Sequence, residues 1–166
     1  MKLLPLLLAL AISCVMPTVE AAGFKAGVAV RTVTPSPLLP VSGGMGPSSK
    51  ASEKKGALTV RAPALGNTQT QLVIVSSDFL GFPAALGDKV RAQVMWIPSD
   101  HILIGASHTH SAPDCYGFPD GKGGTDADLE YLNFVCDQMA GAIHSALAAM
   151  RAARGRINTR TARSQI

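Results

Sequence analysis

Two short apolar runs, Leu72 to Val75 and Ile102 to Ala106, flank a stretch with apolar residues at Leu86, Val90 and Val94. Four to eight apolar residues bounded by polar or turn signals read as a strand, and an i, i+4 ladder reads as a helix packed on a sheet. The helical pattern over Ala84 to Trp96 is stopped by Ile97-Pro98-Ser99-Asp100, so residues 71–106 read as one β-α-β unit with a right-handed crossover. The fold class that follows is α/β. Leu72 to Val75 shows no polar alternation, which predicts a strand buried on both faces.

The other segments extend this unit. Gly23 to Thr34 carries Val28, Ala29, Val30 and Val33 and reads as a first strand, ended by Pro35. Residues 35–57 are rich in Pro, Ser, Gly and Lys and form a long loop around Ser42-Gly-Gly-Met-Gly46. Those glycines do not follow a strand and open a helix, as a phosphate-binding loop requires. Leu58 to Leu65 and Gln71 to Ser77 read as a hairpin across residues 66–70, with Pro63 pushing its strand towards the sheet edge. After a Gly- and Asp-rich loop at 114–125, Thr125 and Asp128 suggest a capping box. It opens a helix over roughly Asp126 to Arg151, whose core stripe is Leu129, Leu132, Val135, Met139, Ile143, Leu147 and Met150. Arg156 to Gln165 alternates weakly, as the start of another strand would. The expected architecture is a mixed sheet of about five strands with two main helices packed on it.

The chain ends and the charge bound the function. Met1-Lys2 is followed by an apolar run from Leu3 to Met16 and by Val19-Glu20-Ala21, the pattern of a cleaved secretory signal over residues 1–21. A secreted or periplasmic protein is expected. Cys14 raises the alternative of a lipoprotein, but Ala11-Ile12-Ser13 matches a lipobox poorly. An oxidising compartment would allow Cys115 and Cys136 to pair without requiring it. Cys136 lies in a helical pattern and reads as a small buried hydrophobe. The formal net charge is +4, yet residues 22–150 hold nine Lys or Arg against ten Asp or Glu. The surplus belongs to a basic tail, residues 151–166, with five arginines and no acid. Basic residues are not spread along the domain or interleaved with aromatics, so nucleic acid is not an expected partner.

One stretch looks like chemistry. His108 and His110 follow the strand at Ile102 to Ala106 and precede Ser111-Ala-Pro-Asp114. On an extended chain i and i+2 share a face, and open α/β sheets bind ligands at the carboxyl ends of their strands. Imidazole is the commonest protein metal ligand. Asp78, at the end of the neighbouring strand, can hydrogen-bond a ligand, orient a histidine or cap the next element, and Asp78, Asp114 and Cys115 are each weak candidates for a further metal ligand. A catalytic zinc takes three protein ligands and a water, whose pKa it lowers towards neutrality. The chain supplies one or two histidines and no clear third ligand, which is half a metal site. The alternative is that both histidines are structural. His101, at the other end of the strand, reads as a surface residue, and His144, on the side of Asn133 and Asp137, reads as solvated.

The stretch ILIGASHTHSAPD at 102–114 resembles the N-terminal catalytic domain of the neutral/alkaline non-lysosomal ceramidases, together with AGVAVRTVTPS at 26–36, Leu58-Thr-Val-Arg-Ala62 and LVIVSSD at 72–78. The resemblance covers most of residues 26–150, and Ser-His-Thr-His-Ser-x-Pro is its specific part. It implies a secreted, zinc-dependent amide hydrolase that splits ceramide, or a related lipid amide, into a sphingoid base and a fatty acid. His108 would be a zinc ligand, and His110 a catalytic-site partner beside it. The attacking water would be zinc-bound. The other ligands of the family (a histidine, a glutamate and a tyrosine) and its serine lie downstream of this stretch. Residues 22–150 would then be the front part of a larger catalytic domain, and residues 151–166 the end of a truncated or frameshifted reading frame. The implied partners are a lipid amide and, peripherally, membrane lipid. Ala112-Pro113-Asp114 stands where ceramidases have Gly-Pro-Gly, and Thr32-Val33 where they have Asp-Ile. The rival reading is a non-catalytic exported α/β domain. An amidohydrolase barrel would need many more β-α units than this chain holds.

Overall fold

The computed structural model describes residues 23–155. Five strands, β1 (Lys25–Thr32), β2 (Thr59–Gly66), β3 (Gln71–Ser77), β4 (Ile102–Ala106) and β5 (Arg151–Ala152), form one sheet in the order β4-β3-β2-β1-β5. Only β3 and β4 are parallel, joined through helix α1 (Ala84–Ala92); the other neighbours are antiparallel. The second helix, α2 (Leu129–Ala148), lies against β1 and β2 and packs on α1. The α/β class, the mixed five-stranded sheet and the β-α-β unit are therefore as expected. The signal segment and the strand expected over residues 156–165 lie outside the described residues.

The hairpin of β2 and β3 closes where Asn67 Oδ1 accepts the N–H groups of Gln69 and Thr70, both at 2.8 Å. An Asn bonding the backbone two residues on is a standard turn device. Pro63 does not sit at an edge. β2 lies between β1 and β3, with Pro63 opposite Val28, and the β2–β3 register skips residues 62 and 63. The missing proline N–H is absorbed as a local gap in one ladder. Arg151 and Ala152 also depart from the expected basic tail: they pair with Ala26 and Lys25 as a short edge strand.

The core lies between one sheet face and the helices. Val60, Ala62, Ala64, Val73, Val75 and Ile102 pack there with Leu132, Val135, Met139 and Ile143. The expected two-sided burial of β3 fails, because both helices lie on the same side. Leu72 and Ile74 are exposed on the other face, in line with Leu65 and with the row Val28, Pro63 and Leu103. Val28 is 64% exposed and Leu103 59%. β4, read as buried, is an edge strand with only Ile102 fully inside.

Both helices are shorter than their patterns. α1 stops at Ala92, leaving Met95 and Trp96 exposed while Val94 and Ile97 still reach the core. α2 begins at Leu129 because Asp128, not Thr125, is its cap: the Asp128 carboxylate accepts the Tyr131 N–H at 2.9 Å. Thr125 instead accepts the Ala127 N–H. Leu129 is exposed, unlike the rest of the stripe. His144 is not solvated either. Its ring stacks on Trp96, with centroids 4.7 Å apart, and its Nε2 is buried without a partner.

The two sheet faces should respond differently to substitution. Met139→Ala, in the core, is expected to cost about 2–5 kcal/mol. Ile74→Thr, on the open face, should change stability by no more than about 0.5 kcal/mol. Urea denaturation of the two variants measures both. An equal loss would mean that the open face is covered in solution.

Candidate functional site

The carboxyl ends of β3 and β4 are tied together before the histidines begin. Ser107 N–H donates to the Ser77 carbonyl at 2.9 Å, and Ser77 Oγ donates to the Gly105 carbonyl at 3.0 Å. The strand geometry does not continue into His-Thr-His. His108 has φ 62°, in the left-handed region that few non-glycine residues enter. A turn, then, brings His108 and His110 together, and not the two-residue alternation of an extended strand. Both are exposed, and their rings meet edge to face with centroids 5.1 Å apart.

His108 is held by the loop after β3. Its Nδ1 lies 2.7 Å from the Leu80 carbonyl oxygen. A carbonyl only accepts, so Nδ1 carries the hydrogen and the neutral ring keeps its lone pair on Nε2. This is the arrangement in which proteins present a ligating imidazole. The residues after it are fixed by the same loop. Cys115 Sγ donates to the Gly81 carbonyl at 3.0 Å, and a methyl group at Gly81 would come within 1.8 Å of the Tyr116 hydroxyl. On the other side, Ser42 N–H donates to the Ala112 carbonyl at 2.9 Å. That bond sets the Ser42–Gly46 loop against the turn, with the Ser42 hydroxyl buried and unpartnered.

The other expected ligands have different duties. Asp78 is occupied by β2: it accepts Thr59 N–H at 2.9 Å, Thr59 Oγ1 at 2.8 Å, and both Arg61 nitrogens at 3.0 and 3.1 Å. Burial alone would raise its pKa, but the bonds from Arg61 and Thr59 outweigh it and hold the carboxyl below its ordinary 3.8. Asp114 is buried and accepts Tyr116 N–H and Phe118 N–H at 2.8 and 2.7 Å, which shapes the loop. Cys115 is buried and unpaired, as is Cys136. Burial pushes the Cys115 thiol up to about 11, against the lowering effect of the Gly81 bond.

Among the described residues, no group of three or more His, Cys, Asp or Glu side chains is placed to hold a metal ion. The residues present fit one ligand of a zinc site, His108, and not a whole site. His101 lies at the far end of β4, where its Nδ1 meets the Gln71 carbonyl at 2.8 Å. A cavity of about 590 Å³ lies beside the turn, lined by Thr109, Ser111 and Pro113 with Leu38 and Leu58 but by neither histidine. The Leu80 carbonyl escaped sequence reasoning, because a carbonyl leaves no mark in a sequence.

Two measurements check these assignments. Native Cys115 should react with iodoacetamide at pH 8 roughly a hundredfold more slowly than an ordinary thiol, and at the ordinary rate once unfolded. Fast native alkylation would show an exposed thiolate. For Asp78 the folded pKa is depressed, so its stabilising effect is present above 3.8 and is lost as pH falls through the lower folded value. Asp78→Asn should therefore flatten the acid limb of the stability–pH profile, read from urea midpoints. An unchanged acid limb would contradict the Arg61–Asp78 pairing.

No family model matches the chain, and no curated protein matches it. Solved structures do. A ceramidase described as complexed with C2 superposes with a TM-score of 0.64 at 18% identity, covering 79% of this chain and 22% of that one. The neutral ceramidase from Pseudomonas aeruginosa superposes with a TM-score of 0.58 at 16% identity, covering 80% of this chain and 23% of that one. The chain thus spans less than a quarter of the length of the ceramidases it resembles. What it shares with them is the fold of this α/β unit.

Proposed function

We propose that residues 22–150 form the front part of a zinc-dependent amide hydrolase of the neutral ceramidase type, in which His108 is one zinc ligand and His110 acts beside it. The observation that carries this reading is the hydrogen bond from His108 Nδ1 to the Leu80 carbonyl. It leaves Nε2 free at the carboxyl end of a parallel strand pair, where α/β sheets bind ligands. The fold shared with solved ceramidases supports the same reading. The remaining ligands and the nucleophile would come from polypeptide beyond this unit, so the unit alone is expected to be inactive.

The substrate is a lipid amide, ceramide or a relative. Asp114, which departs from the ceramidase pattern, is spent on loop backbone groups and so alters the loop more than the ligand. Tyr116 and Phe118 are half-exposed in that loop, and Met45 is fully exposed in the loop beside His110. Apolar side chains next to the histidines suit a substrate drawn from a membrane surface and peripheral contact with lipid. The apolar segment before Ala21 supports export as a secreted or periplasmic protein. The second reading, a non-catalytic α/β domain, is favoured by the lack of a three-residue donor group among the described residues.

Zinc titration followed on the histidine ring signals separates the two. If the proposal holds, His108 Nε2 responds first and His101 and His144 stay still. In a longer polypeptide carrying this unit, His108→Ala should then lower bound zinc from about one per chain and abolish amide hydrolysis. Zinc that leaves His108 unperturbed, or full zinc content in His108→Ala, would favour the non-catalytic domain.

A further inference from the structure

The Ser42–Gly46 loop touches the histidine turn at one point. Ser42 is 4% exposed and bonded to Ala112, two residues past His110. The next residue, Gly43, has φ 111°. A methyl group on its Cα would stand 2.8 Å from His110 Cγ, 3.0 Å from Nδ1 and 3.1 Å from Cβ. The His110 ring therefore fills the space that a side chain at position 43 would occupy. Gly44 and Gly46 have nothing within 4 Å of the same position, although Gly46 also has a positive φ of 106°. Two of the three loop glycines thus face open space, and one faces the imidazole.

We propose that Gly43 is a positioning residue, whose bare Cα fixes the place of the His110 ring beside His108. His110 is an exposed residue, and its ring also meets the His108 ring at a steep angle. A side chain at 43 would drive it off this contact, and a displaced group near a reacting centre loses much of its effect. The functional weight of this placement rests on the reading of His110 as a site residue. The placement itself does not.

Gly46→Ala is the internal control, since it imposes the same positive-φ strain in the same loop without a clash. At fixed pH and without metal, Gly43→Ala should shift the carbon–proton cross-peaks of the His110 ring, and Gly46→Ala should leave them in place. Gly43→Ala should also melt at a lower temperature than Gly46→Ala. That extra loss should largely vanish when both are compared in a His110→Ala background, where the ring is gone. Unmoved His110 signals in Gly43→Ala, or an extra loss that persists without the ring, would overturn the proposal. Should Gly43→Ala fail to fold, the double variant decides: recovery of folding supports the clash with His110, and continued failure refutes it. Zinc plays no part in these readouts, so the zinc titration and this comparison can fail separately.

Discussion

Helix α2 rests on β1 at a residue with no side chain. A methyl at Gly27 would come within 2.2 Å of the Ala146 carbonyl oxygen and 2.8 Å of the Met150 nitrogen. Small residues continue this close approach on both sides, with Ala62 and Ala64 on β2 and Ala140, Ala142 and Ala146 on α2, all buried. Larger side chains on either surface would lift the helix and open the layer that Val135, Met139 and Ile143 fill. The seating of α2 then propagates. Tyr131, in its first turn, donates its hydroxyl to the Val33 carbonyl at 2.7 Å, and Asp126, just before the helix, accepts the Ser48 N–H at 2.8 Å. Both bonds anchor the connection between β1 and β2, which carries Ser42, to the start of the same helix.

Anchored loops explain how His108 keeps an unfavourable backbone conformation. A non-glycine residue in the left-handed region costs on the order of 1–3 kcal/mol and persists only where its surroundings over-determine it. Here the chain is fixed before the residue by the Ser107–Ser77 bond and after it by the Ala112–Ser42 bond. The ring is fixed by Leu80. Three constraints within the stretch from Ser107 to Ala112 leave the imidazole little choice of direction. Asp78 contributes from a distance: by locking Thr59 and Arg61 it holds the end of β3 from which the Leu80 loop departs.

Periodicity made most of the architecture legible. The apolar runs of β3 and β4, the ladder of α1 and the stripe of α2 each carried their own signal, and the fold class followed. What periodicity cannot say is which side of a sheet a helix takes. Leu72 and Ile74 are as apolar as Val73 and Val75, so two buried faces were the natural expectation, and only the layering of α1 and α2 decides otherwise. Pro63 misled for a related reason, since an interior strand tolerates one missing donor when its ladder on that side has a gap. His144 looked polar-facing on a helical wheel, and only the fold brings Trp96 over it. For the histidine turn, its place after the carboxyl end of β4 was legible. The turn geometry and the carbonyl that orients His108 were not, because both depend on how distant loops meet.

The open sheet face and, on the proposed zinc reading, the lone donor His108 are two forms of one property. The unit closes one apolar layer between its sheet and helices, but leaves uncovered the row Val28, Pro63, Ile74 and Leu103 and the free nitrogen of His108. A sheet that is apolar on both faces is stable when each is covered, and a zinc ion is held firmly when several donors converge. One imidazole, however well oriented, cannot supply that convergence. What the fold does supply is orientation before any partner arrives, because the ring direction is set by backbone bonds that need no ligand. A preformed donor lowers the ordering cost of completing a site. That places the contribution of this unit in the geometry of His108 and in the loops that hold it.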